Sequence, residues 1–400
     1  MPEPSLRTLD NLGDISGRRI LVRVDFNVPV DSADNITDDT RIRAALETLG
    51  ELSQKRARVI IMSHRGRPSG WGGASMDLVA RRLAELMACP VDFVDDVVGD
   101  AAQKRVAALE PGGFLLLQNL RYEPGEKAGD RGFAERLSRL GDLYVNDGFG
   151  TAHRQDASVA FVPRILPGFA GRLLMRELKG LQPLLTGPQR PYWAVIGGSK
   201  VSDKVGLLGS LLQKVDGIAV GGGMANTFLK AQGYDMGASR VETTAMVTAG
   251  EILKEASDRG VKVLLPSTVL AAKGFSEEAP FRVAKPGALA SDEMALDLGP
   301  VAVDEMLTHL KGAHTIFWNG PLGVFEWEHF RQGTMAMARG LAGLPAQVIV
   351  GGGDSVAAVT QAGLGGRFAH VSTGGGAALE FLEGKTLPGV AALIQSPGGL

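Results

Sequence analysis

The chain has 400 residues, a formal net charge of −2, 44% hydrophobic residues and 22% charged residues. It is long enough for two or three globular domains, and its charge gives no general reason to expect binding to nucleic acid or a membrane. One cysteine, Cys89, excludes an internal disulfide, and no apolar run is long enough to span a bilayer. Because the N-terminal residues are polar and unlike a signal peptide, we expect a cytoplasmic protein.

The first half of the chain alternates short apolar runs with segments of helical spacing. Strands are predicted at Arg19–Val24, Arg58–Met62, Val91–Val94, Gly113–Leu117 and Asp142–Val145. Helices are predicted at Thr40–Leu52, with Thr40 as N-cap, and at Met76–Met87, Ala101–Leu109 and Ala134–Leu140. This alternation predicts parallel strands that are joined by right-handed crossovers.

The second half repeats the alternation, and glycine clusters follow most of its strands. Strands are predicted at Tyr192–Ile196, Gly217–Val220, Lys262–Leu265, His314–Trp318, Gln347–Val350 and His370–Ser372. Between the halves lie the Pro/Gly-rich segment Pro163–Gly171 and a predicted connecting helix, Arg172–Leu185. We therefore predict an α/β protein with two Rossmann-like parallel-sheet lobes joined by a hinge helix, and ligand sites at the carboxyl ends of the strands.

The segment QVIVGGGDSVAAVTQ, residues Gln347–Gln361, has the pattern of a phosphate site. A buried strand leads into the Gly351–Gly353 loop, and Asp354 and Ser355 are good N-caps for the next helix. Free N–H groups and the helix dipole favour an anion there. Asp354 would repel a bare phosphate, so the pattern indicates a divalent metal between them and hence a Mg-nucleotide site. The alternative is a tight strand–helix turn with no ligand.

A second loop, Gly197–Lys204 (GGSKVSDK), places two lysines after a strand. If Ser202 caps the next helix, Lys200 lies in the loop and Lys204 in the first helical turn. Lysines oppose the dipole at a helix N-terminus, so an anion between them would explain the pair. A solvated pair of lysines is the alternative.

The first half carries a different charge pattern, at or just after its predicted strand ends or in its loops. Its members are Arg41, His64, Arg65, Arg67, Arg121 and Arg154. Parallel pairing would bring these ends to one edge, where guanidinium groups bind phosphate and carboxylate bidentately. Asp25 and Asn27, just after the first strand, are candidates to bind hydroxyl groups of that ligand. Taken singly, each loop arginine is more often solvated.

The absence of their sequence motifs argues against several other types of site. The chain has no GxxxxGK[ST] loop, and each candidate GxGxxG fails at its third glycine, which argues against a P-loop enzyme and a nicotinamide dehydrogenase. The 6 histidines show no metal-binding spacing, and GxSxG does not occur.

The residues singled out above fall in segments that match a known family: the chain resembles phosphoglycerate kinases over essentially its whole length. The matching segments, in order, are RVDFNVPV (Arg23–Val30), DDTRI (Asp38–Ile42), SHRGRP (Ser63–Pro68), LLLQNLRY (Leu115–Tyr122), DGFGTAHR (Asp147–Arg154), GGSKVSDK, GGGMANTFL (Gly221–Leu229), NGPLGVFE (Asn319–Glu326), GGGDS (Gly351–Ser355) and STGGGA (Ser372–Ala377). The sequence departs from the usual pattern at Arg65, Ser199, Thr268 and Ala295, and a Cβ at Ala295 would crowd the base of a nucleotide.

The resemblance implies a role for each lobe. Residues 1–171, with 387–400 returning to them, would bind 3-phosphoglycerate or its acyl phosphate through Asp25, Asn27, Arg41, His64, Arg65, Gly66, Arg67, Arg121 and Arg154. Residues 172–386 would bind Mg-ADP or Mg-ATP through Lys204, Leu296, Glu326, Gly352, Gly353, Asp354 and Ser355, with Asp354 on Mg²⁺. Arg41, Lys200 and the backbone of Gly375 would stabilise the transferring phosphoryl group.

The implied activity is that of a monomeric glycolytic kinase that transfers the acyl phosphate of 1,3-bisphosphoglycerate to ADP. Both possible nucleophiles are already anionic, so no general base is needed, and catalysis consists of positioning and charge stabilisation. The two half-sites lie on different lobes, so we expect the lobes to close on their ligands, with Pro163–Gly171 and Arg172–Leu185 as hinge candidates.

Two other interpretations remain open at this point. A ligase that forms an acyl phosphate on another small carboxylate would use similar charges, but should show clustered metal-binding carboxylates. A two-lobed binding protein for a phosphorylated solute would need no pairing of Lys200 with Asp354 and usually carries an export signal.

Overall fold

The polypeptide folds into two compact units in a computed structural model that describes residues 6–68 and 74–398. The first unit runs to Leu178 and takes in the residues from Thr386 onward, and the second is Lys179–Lys385. The boundary therefore falls inside the predicted connecting helix and not before it. The predicted Pro/Gly-rich linker Pro163–Gly171 contains a sheet strand of the first unit, so it is not a free connection.

The first unit is built on a sheet of six parallel strands in the order β3-β4-β2-β1-β5-β6. The strands are β1 (Arg19–Arg23), β2 (Arg58–Met62), β3 (Asp92–Val94), β4 (Phe114–Leu117), β5 (Leu143–Asn146) and β6 (Gly168–Ala170). The five strands predicted from apolar runs are present within one or two residues. The sixth, β6, was not predicted because three residues within a Pro/Gly-rich segment show no periodicity.

Helices cover this sheet. They are α1 (Thr40–Gln54), α2 (Asp77–Met87), α3 (Asp100–Ala108), α4 (Pro124–Ala128), α5 (Arg131–Ser138), α6 (Arg172–Leu181) and, from the C-terminal segment, α15 (Pro388–Ile394). Thr40 is the first helical residue of α1 and Asp39 occupies the N-cap position, which corrects the predicted cap. Both faces of the central strands are inaccessible to solvent, as Leu21 and Val22 show. Burial on both faces explains why these strands read as continuous apolar runs.

The second unit has its own six-stranded parallel sheet in the order β15-β14-β13-β7-β8-β9. The strands are β7 (Tyr192–Ile196), β8 (Gly217–Val220), β9 (Lys262–Leu264), β13 (Thr315–Asn319), β14 (Gln347–Gly351) and β15 (His370–Val371). All six were predicted. A separate antiparallel sheet of β10 (Val269–Lys273), β11 (Phe281–Ala284) and β12 (Glu293–Leu298) was not.

The helices of the second unit are α7 (Pro183–Thr186), α8 (Val205–Leu212), α9 (Gly222–Ala231), α10 (Met246–Asp258), α11 (Pro300–Leu310), α12 (Gln332–Ala342), α13 (Gly353–Gln361) and α14 (Gly376–Leu382). The predicted helix Arg172–Leu185 is two helices, α6 and α7, with Pro183 opening the second. A proline fits the first turn of a helix, where its missing N–H costs no hydrogen bond.

Across residues 6–68 and 74–398, no helix combines the length and the apolar character that crossing a membrane requires.

Candidate active site

The first candidate site lies where strands of the first unit end. Asp25 and Asn27 follow β1, His64 follows β2, Arg121 follows β4 and Arg154 follows β5. The parallel sheet brings these chain positions to one edge, as predicted from the order of elements. We call the cluster of Arg41, His64, Arg121 and Arg154 the basic edge.

Two polar residues after β1 hold the basic groups in place. Asp25 accepts a hydrogen bond from the Arg41 guanidinium at 2.8 Å, and Asp25 is buried whereas Arg41 is 38% exposed. The Asn27 Oδ1 atom accepts from the Gly66 N–H at 2.7 Å. Arg41 is therefore oriented by a buried carboxylate while part of its guanidinium remains open to a ligand.

His64 lies between two arginines and is almost fully buried. Its Nδ1 is 3.3 Å from Arg23 Nη2, and its Nε2 is 3.0 Å from Arg154 Nη1. Burial, followed by the positive charges of Arg23 and Arg121, holds the pKa of His64 well below its usual value. The imidazole is thus neutral at pH 7: one ring nitrogen accepts a hydrogen bond from an arginine, and the other carries the N–H that can donate to a ligand without adding charge.

Arg23 contacts His64, although sequence reasoning did not assign Arg23 to the site. It is fully buried at the end of β1 and donates to Ser158 Oγ at 2.8 Å. Ser158 Oγ in turn donates to Glu126 at 2.6 Å, and burial raises the pKa of the Glu126 carboxyl. The available signal was an arginine flanked by Val22 and Val24 in the apolar run that follows Arg19.

Arg65 and Arg67, both predicted to bind substrate, lie in different environments. Arg65 is buried and donates from Nε to the Ser75 carbonyl at 3.1 Å, so its side chain fastens a neighbouring loop. Arg67 is exposed. Asn119, a second residue that was missed, accepts from the N–H groups of Arg65 and Arg121 at 3.2 and 3.1 Å and so joins the loops after β2 and β4.

The charged form of Arg121, another member of the basic edge, is destabilised by its surroundings. Burial and the charge of Arg154 lower the pKa of Arg121. Its Nη1 donates to the Gly66 carbonyl, but its buried Nε has no hydrogen-bond partner among the described residues. Cations that repel one another and retain free donors are stabilised by a bound anion.

The second candidate site is a cavity of about 600 Å³ in the second unit. Its apolar part includes Phe275, Met294, Leu296 and Val324, and its polar part includes Glu326 and Asp354. This lining suits a ligand with a flat apolar ring and an anionic, metal-bound end. The predicted residues Leu296, Glu326 and Asp354 are brought together here.

The Gly351–Gly353 loop begins α13, as predicted, but its N-cap is Gly352. Asp354 lies in the first turn and Ser355 follows it, so the prediction that they cap the helix was wrong. Gly352 has φ of 92°, and a Cβ there would lie 2.8 Å from Asn319 Nδ2, which explains the requirement for glycine. Ser355 Oγ instead accepts from the Gly320 N–H at 2.6 Å.

Two carboxylates and a lysine set the electrostatics near this helix end. Burial and the neighbouring Glu326 raise the pKa of Asp354, and Lys204 acts in the opposite direction. Burial lowers the pKa of Lys204 to about 8, and its Nζ donates to Asn319 Oδ1. Asn319, which was not predicted individually, also donates to the Gly351 carbonyl at 2.8 Å and thereby links the lysine to the glycine loop.

The lysine pair differs from the prediction in two ways. Ser202 does not cap α8; its hydroxyl donates to Glu242 at 2.5 Å, and Lys204 ends a 3₁₀ turn ahead of the helix. Lys204, and not Lys200, interacts with Asp354, while Lys200 is exposed and interacts with Glu242. Gly375 precedes α14 with φ of 50°, a conformation that glycine adopts readily.

Comparison with known proteins identifies the family. The sequence model of the phosphoglycerate kinase family matches residues 9–385. The chain belongs to the phosphoglycerate kinase family. It is 51% identical to the phosphoglycerate kinase of Moorella thermoacetica over 390 residues, covering 97% of this chain and 99% of that protein. The phosphoglycerate kinase of Salinispora arenicola is 50% identical over 399 residues, covering 97% and 99%.

Solved structures of the family agree. The phosphoglycerate kinase of Coxiella burnetii superposes with a TM-score of 0.87 at 41% identity, covering 98% of this chain and 99% of that one. The enzyme of Pyrococcus horikoshii OT3 gives a TM-score of 0.88 at 30% identity over the same shares.

Family membership decides the class of reaction. The chain is a glycolytic kinase and a phosphotransferase with a carboxyl group as acceptor, and ADP or ATP is its co-substrate. The family predicted from sequence motifs is confirmed, and neither the ligase nor the binding protein is favoured.

Proposed function

We propose that this chain reversibly transfers the acyl phosphate of 1,3-bisphosphoglycerate to ADP, giving 3-phosphoglycerate and ATP, with the phosphoglycerate on the first unit and the nucleotide on the second. The observation that carries this assignment is the chemical contrast between the two sites. One is a set of cations in which the buried Nε of Arg121 has no hydrogen-bond partner among the described residues, and the other is a cavity lined by apolar side chains together with the carboxylates of Glu326 and Asp354.

The basic edge suits a small ligand that carries phosphate and carboxylate groups. Arg121 and Arg154 supply charge, and neutral His64 supplies a hydrogen bond without further repulsion. Asp25 accepts a hydrogen bond from Arg41, and Asn27 accepts one from the Gly66 N–H in the loop after β2. By holding these two groups in place, Asp25 and Asn27 would fix the orientation of the ligand. Arg41 is assigned to the transferring phosphoryl group because it is oriented and partly open.

The residues of the second unit fit a magnesium nucleotide. Burial and, after it, the neighbouring Glu326 raise the pKa of Asp354, and a divalent cation beside Asp354 would stabilise its ionised form. Bound Mg²⁺ would supply charge neutralisation for the phosphates. Gly352, Gly353 and Ser355 shape the loop and first turn, Lys204 lies beside Asp354, and Leu296 contacts the base.

The proposed reaction requires these residues only to position the ligands and to stabilise negative charge. The attacking oxygen is a carboxylate or a phosphate, already ionised, so the chain need not remove a proton. Arg41, Lys200, Lys204 and the N–H groups near Gly375 would oppose the negative charge of a loose, in-line transition state. We assign Lys200 to this step because it lies in the GGSKVSDK segment that matches the family, and its side chain is exposed.

Three further properties complete the proposal. The two units close on their ligands, because transfer requires reacting atoms roughly 3–3.5 Å apart while each ligand is held by a different unit.

The protein acts as a monomer, which sedimentation equilibrium would test. It acts in the cytoplasm, which cell fractionation would test.

A coupled assay tests the central proposal. We expect ATP- and 3-phosphoglycerate-dependent formation of an acyl phosphate, detected by its reductive dephosphorylation with a coupling dehydrogenase. Glycerate and acetate serve as controls, because they lack the phosphate that the basic edge is proposed to bind. Equal turnover of acetate would support an acyl-phosphate-forming ligase, and binding of 3-phosphoglycerate without turnover would support a binding protein.

A further inference from the structure

The loop that carries Lys200 is fixed at one point on each side of that residue. Before it, the Gly198 carbonyl accepts a hydrogen bond from the Met224 N–H of α9 at 2.9 Å. After it, Ser202 donates from its backbone N–H and from its hydroxyl to the Glu242 carboxylate, at 3.1 and 2.5 Å. Lys200 itself makes no hydrogen bond within residues 6–68 and 74–398. The position of Lys200 therefore depends on these two anchors.

Helix α9 supports both anchors. Met224 contributes directly, and the buried Thr227, one turn further along α9, contributes through Glu242, because its Oγ1 accepts from the Glu242 N–H at 3.0 Å. The Glu242 carbonyl in turn accepts from the Ala245 N–H at 3.0 Å and closes a 3₁₀ turn. The first turn of the same helix contributes Gly223 to the wall of the cavity of about 600 Å³. One helix thus connects the nucleotide cavity with the loop that carries Lys200.

The Glu242 carboxylate is also close enough to Lys200 for their charges to interact. Both residues line a cavity of about 280 Å³, together with Ser199 and Thr243. The hydrogen bonds from Ser202 lower the pKa of Glu242, and the positive charge of Lys200 acts in the same direction. Because Lys200 is exposed to solvent, this attraction is weak, and the hydrogen bonds from Ser202 are the main link between Glu242 and the loop.

We propose that Glu242 is a positioning residue for phosphoryl transfer, which holds the loop through Ser202 so that Lys200 meets the transferring phosphoryl group. Glu242 acts through the loop and does not touch the ligand. A positive charge stabilises a transition state best when its position is set before the reaction, so that no reorganisation is needed. Misplacement of a reacting group by about 1 Å can lower a rate about 100-fold. The inference rests on the proposed function, which assigns Lys200 to this step.

Steady-state kinetics of the full-length protein test the role of Glu242. Glu242→Ala should lower kcat by about tenfold, because the loop loses one anchor, and should change KM for 3-phosphoglycerate and for Mg-ATP by less than about twofold. Glu242→Gln should recover most of kcat, since its amide oxygen still accepts from the Ser202 N–H and its amide nitrogen donates to the Ser202 hydroxyl. An unchanged kcat for Glu242→Ala, a change confined to KM, or a Glu242→Gln variant as slow as Glu242→Ala would each overturn the proposal.

A double-mutant cycle with Lys200 distinguishes positioning from a general loss of structure. Lys200→Ala alone should lower kcat. Adding Glu242→Ala to Lys200→Ala should lower kcat further by less than about twofold, because residues that act as a unit are not additive. A further loss of about tenfold would show that Glu242 acts independently of Lys200, and it would overturn the proposal.

Glu305→Ala is the matched control. Glu305 is exposed and accepts a hydrogen bond from the Ser267 hydroxyl, as Glu242 does from Ser202, but it lines neither cavity, so its loss should leave kcat unchanged. Ser202→Ala removes only the hydroxyl contact of an exposed residue and should give a kcat between those of the wild type and Glu242→Ala. This variant keeps the proposal testable if Glu242→Ala fails to fold, because a wild-type kcat for Ser202→Ala would then overturn it.

The same measurements separate this inference from the proposed function. If Lys200→Ala keeps the kcat of the wild type, the assignment of Lys200 is wrong and the inference falls with it. If Lys200→Ala lowers kcat and Glu242→Ala does not, the proposed function stands and the role of Glu242 is refuted.

Discussion

The Arg23 guanidinium lies 3.8 Å from the Glu126 carboxylate, and both side chains are completely buried. Ser158 bridges them, donating to Glu126 and accepting from Arg23. Arg23 also contacts His64. A buried ion pair of this kind adds little net stability compared with apolar packing, but removing one partner leaves a buried charge uncompensated. It therefore supports the basic edge by fixing the arginine that touches His64.

Glu126→Ala should destabilise the first unit by about 3–5 kcal/mol, because Arg23 would remain buried without its counter-charge. Urea denaturation, followed by a probe in the first unit, measures this. Glu135→Ala on α5 is the control, since Glu135 is exposed and its loss should change the free energy of unfolding by less than about 0.5 kcal/mol. A loss below 1 kcal/mol for Glu126→Ala would contradict the role given to the pair.

Arg41→Ala should lower kcat much more than it raises KM for 3-phosphoglycerate. Loss of one donor that stabilises transition-state charge typically costs about 2.7–4 kcal/mol, or two to three orders of magnitude in rate. Steady-state kinetics provide the check. Arg43→Ala, two residues further along α1 and ion-paired with Asp39, is the matched control. A change confined to KM would show that Arg41 only holds the substrate.

Asp354→Ala should weaken Mg-nucleotide binding and leave 3-phosphoglycerate binding nearly unchanged, because the two ligands are assigned to different units. Isothermal calorimetry with each ligand separates the effects. Asp304→Ala on the exposed side of α11 controls for the loss of one negative charge. If both affinities fall equally, the assignment of Asp354 to the metal is incorrect.

Asp147 should make the stability of the first unit depend on pH. It is buried and accepts from the Leu173 and Leu174 N–H groups at 2.8 and 3.2 Å, and burial raises its pKa from 3.8 to about 7. Between these two values the folded protein keeps a proton that the unfolded chain has lost. The free energy of unfolding should therefore fall as pH rises through this window, by at most about 1.4 kcal/mol per pH unit.

Asp147→Asn isolates that contribution, because the amide keeps an acceptor for the α6 N–H groups and does not titrate. Denaturation curves at pH 5 and pH 7 should differ less for the variant than for the wild type. Equal pH dependence in the two proteins would show that Asp147 is ionised throughout.

The two units should close only when both substrates are bound. Each ligand alone is held by one unit and so has little differential affinity for a closed state, whereas the pair acts on both. Small-angle scattering of the free, singly liganded and doubly liganded protein tests this. A radius of gyration that the ternary complex leaves unchanged would reject closure. Helix α6, which spans the unit boundary at Leu178 and Lys179, is the hinge candidate.

The amino-acid sequence by itself determined the strands of both parallel sheets, apart from β6, and the loops that follow them. Buried parallel strands such as β2 and β7 are continuous apolar runs, and glycines mark the turns after them, so both signals are local. The short edge strand β6 and the strand β11 lacked such a signal, because β6 has only three residues and β11 exposes three of its four, so neither is a long buried apolar run.

Only the tertiary structure decided which charged groups act together. Arg23 looks like any strand arginine until Glu126 and Ser158 are packed against it, and Lys204 becomes the lysine beside Asp354 only through the position of Asn319. Burying a charge is favourable only where a partner compensates for lost solvation. Since these partners come from other strands and helices, their pairing is a property of the fold and cannot be read from local spacing.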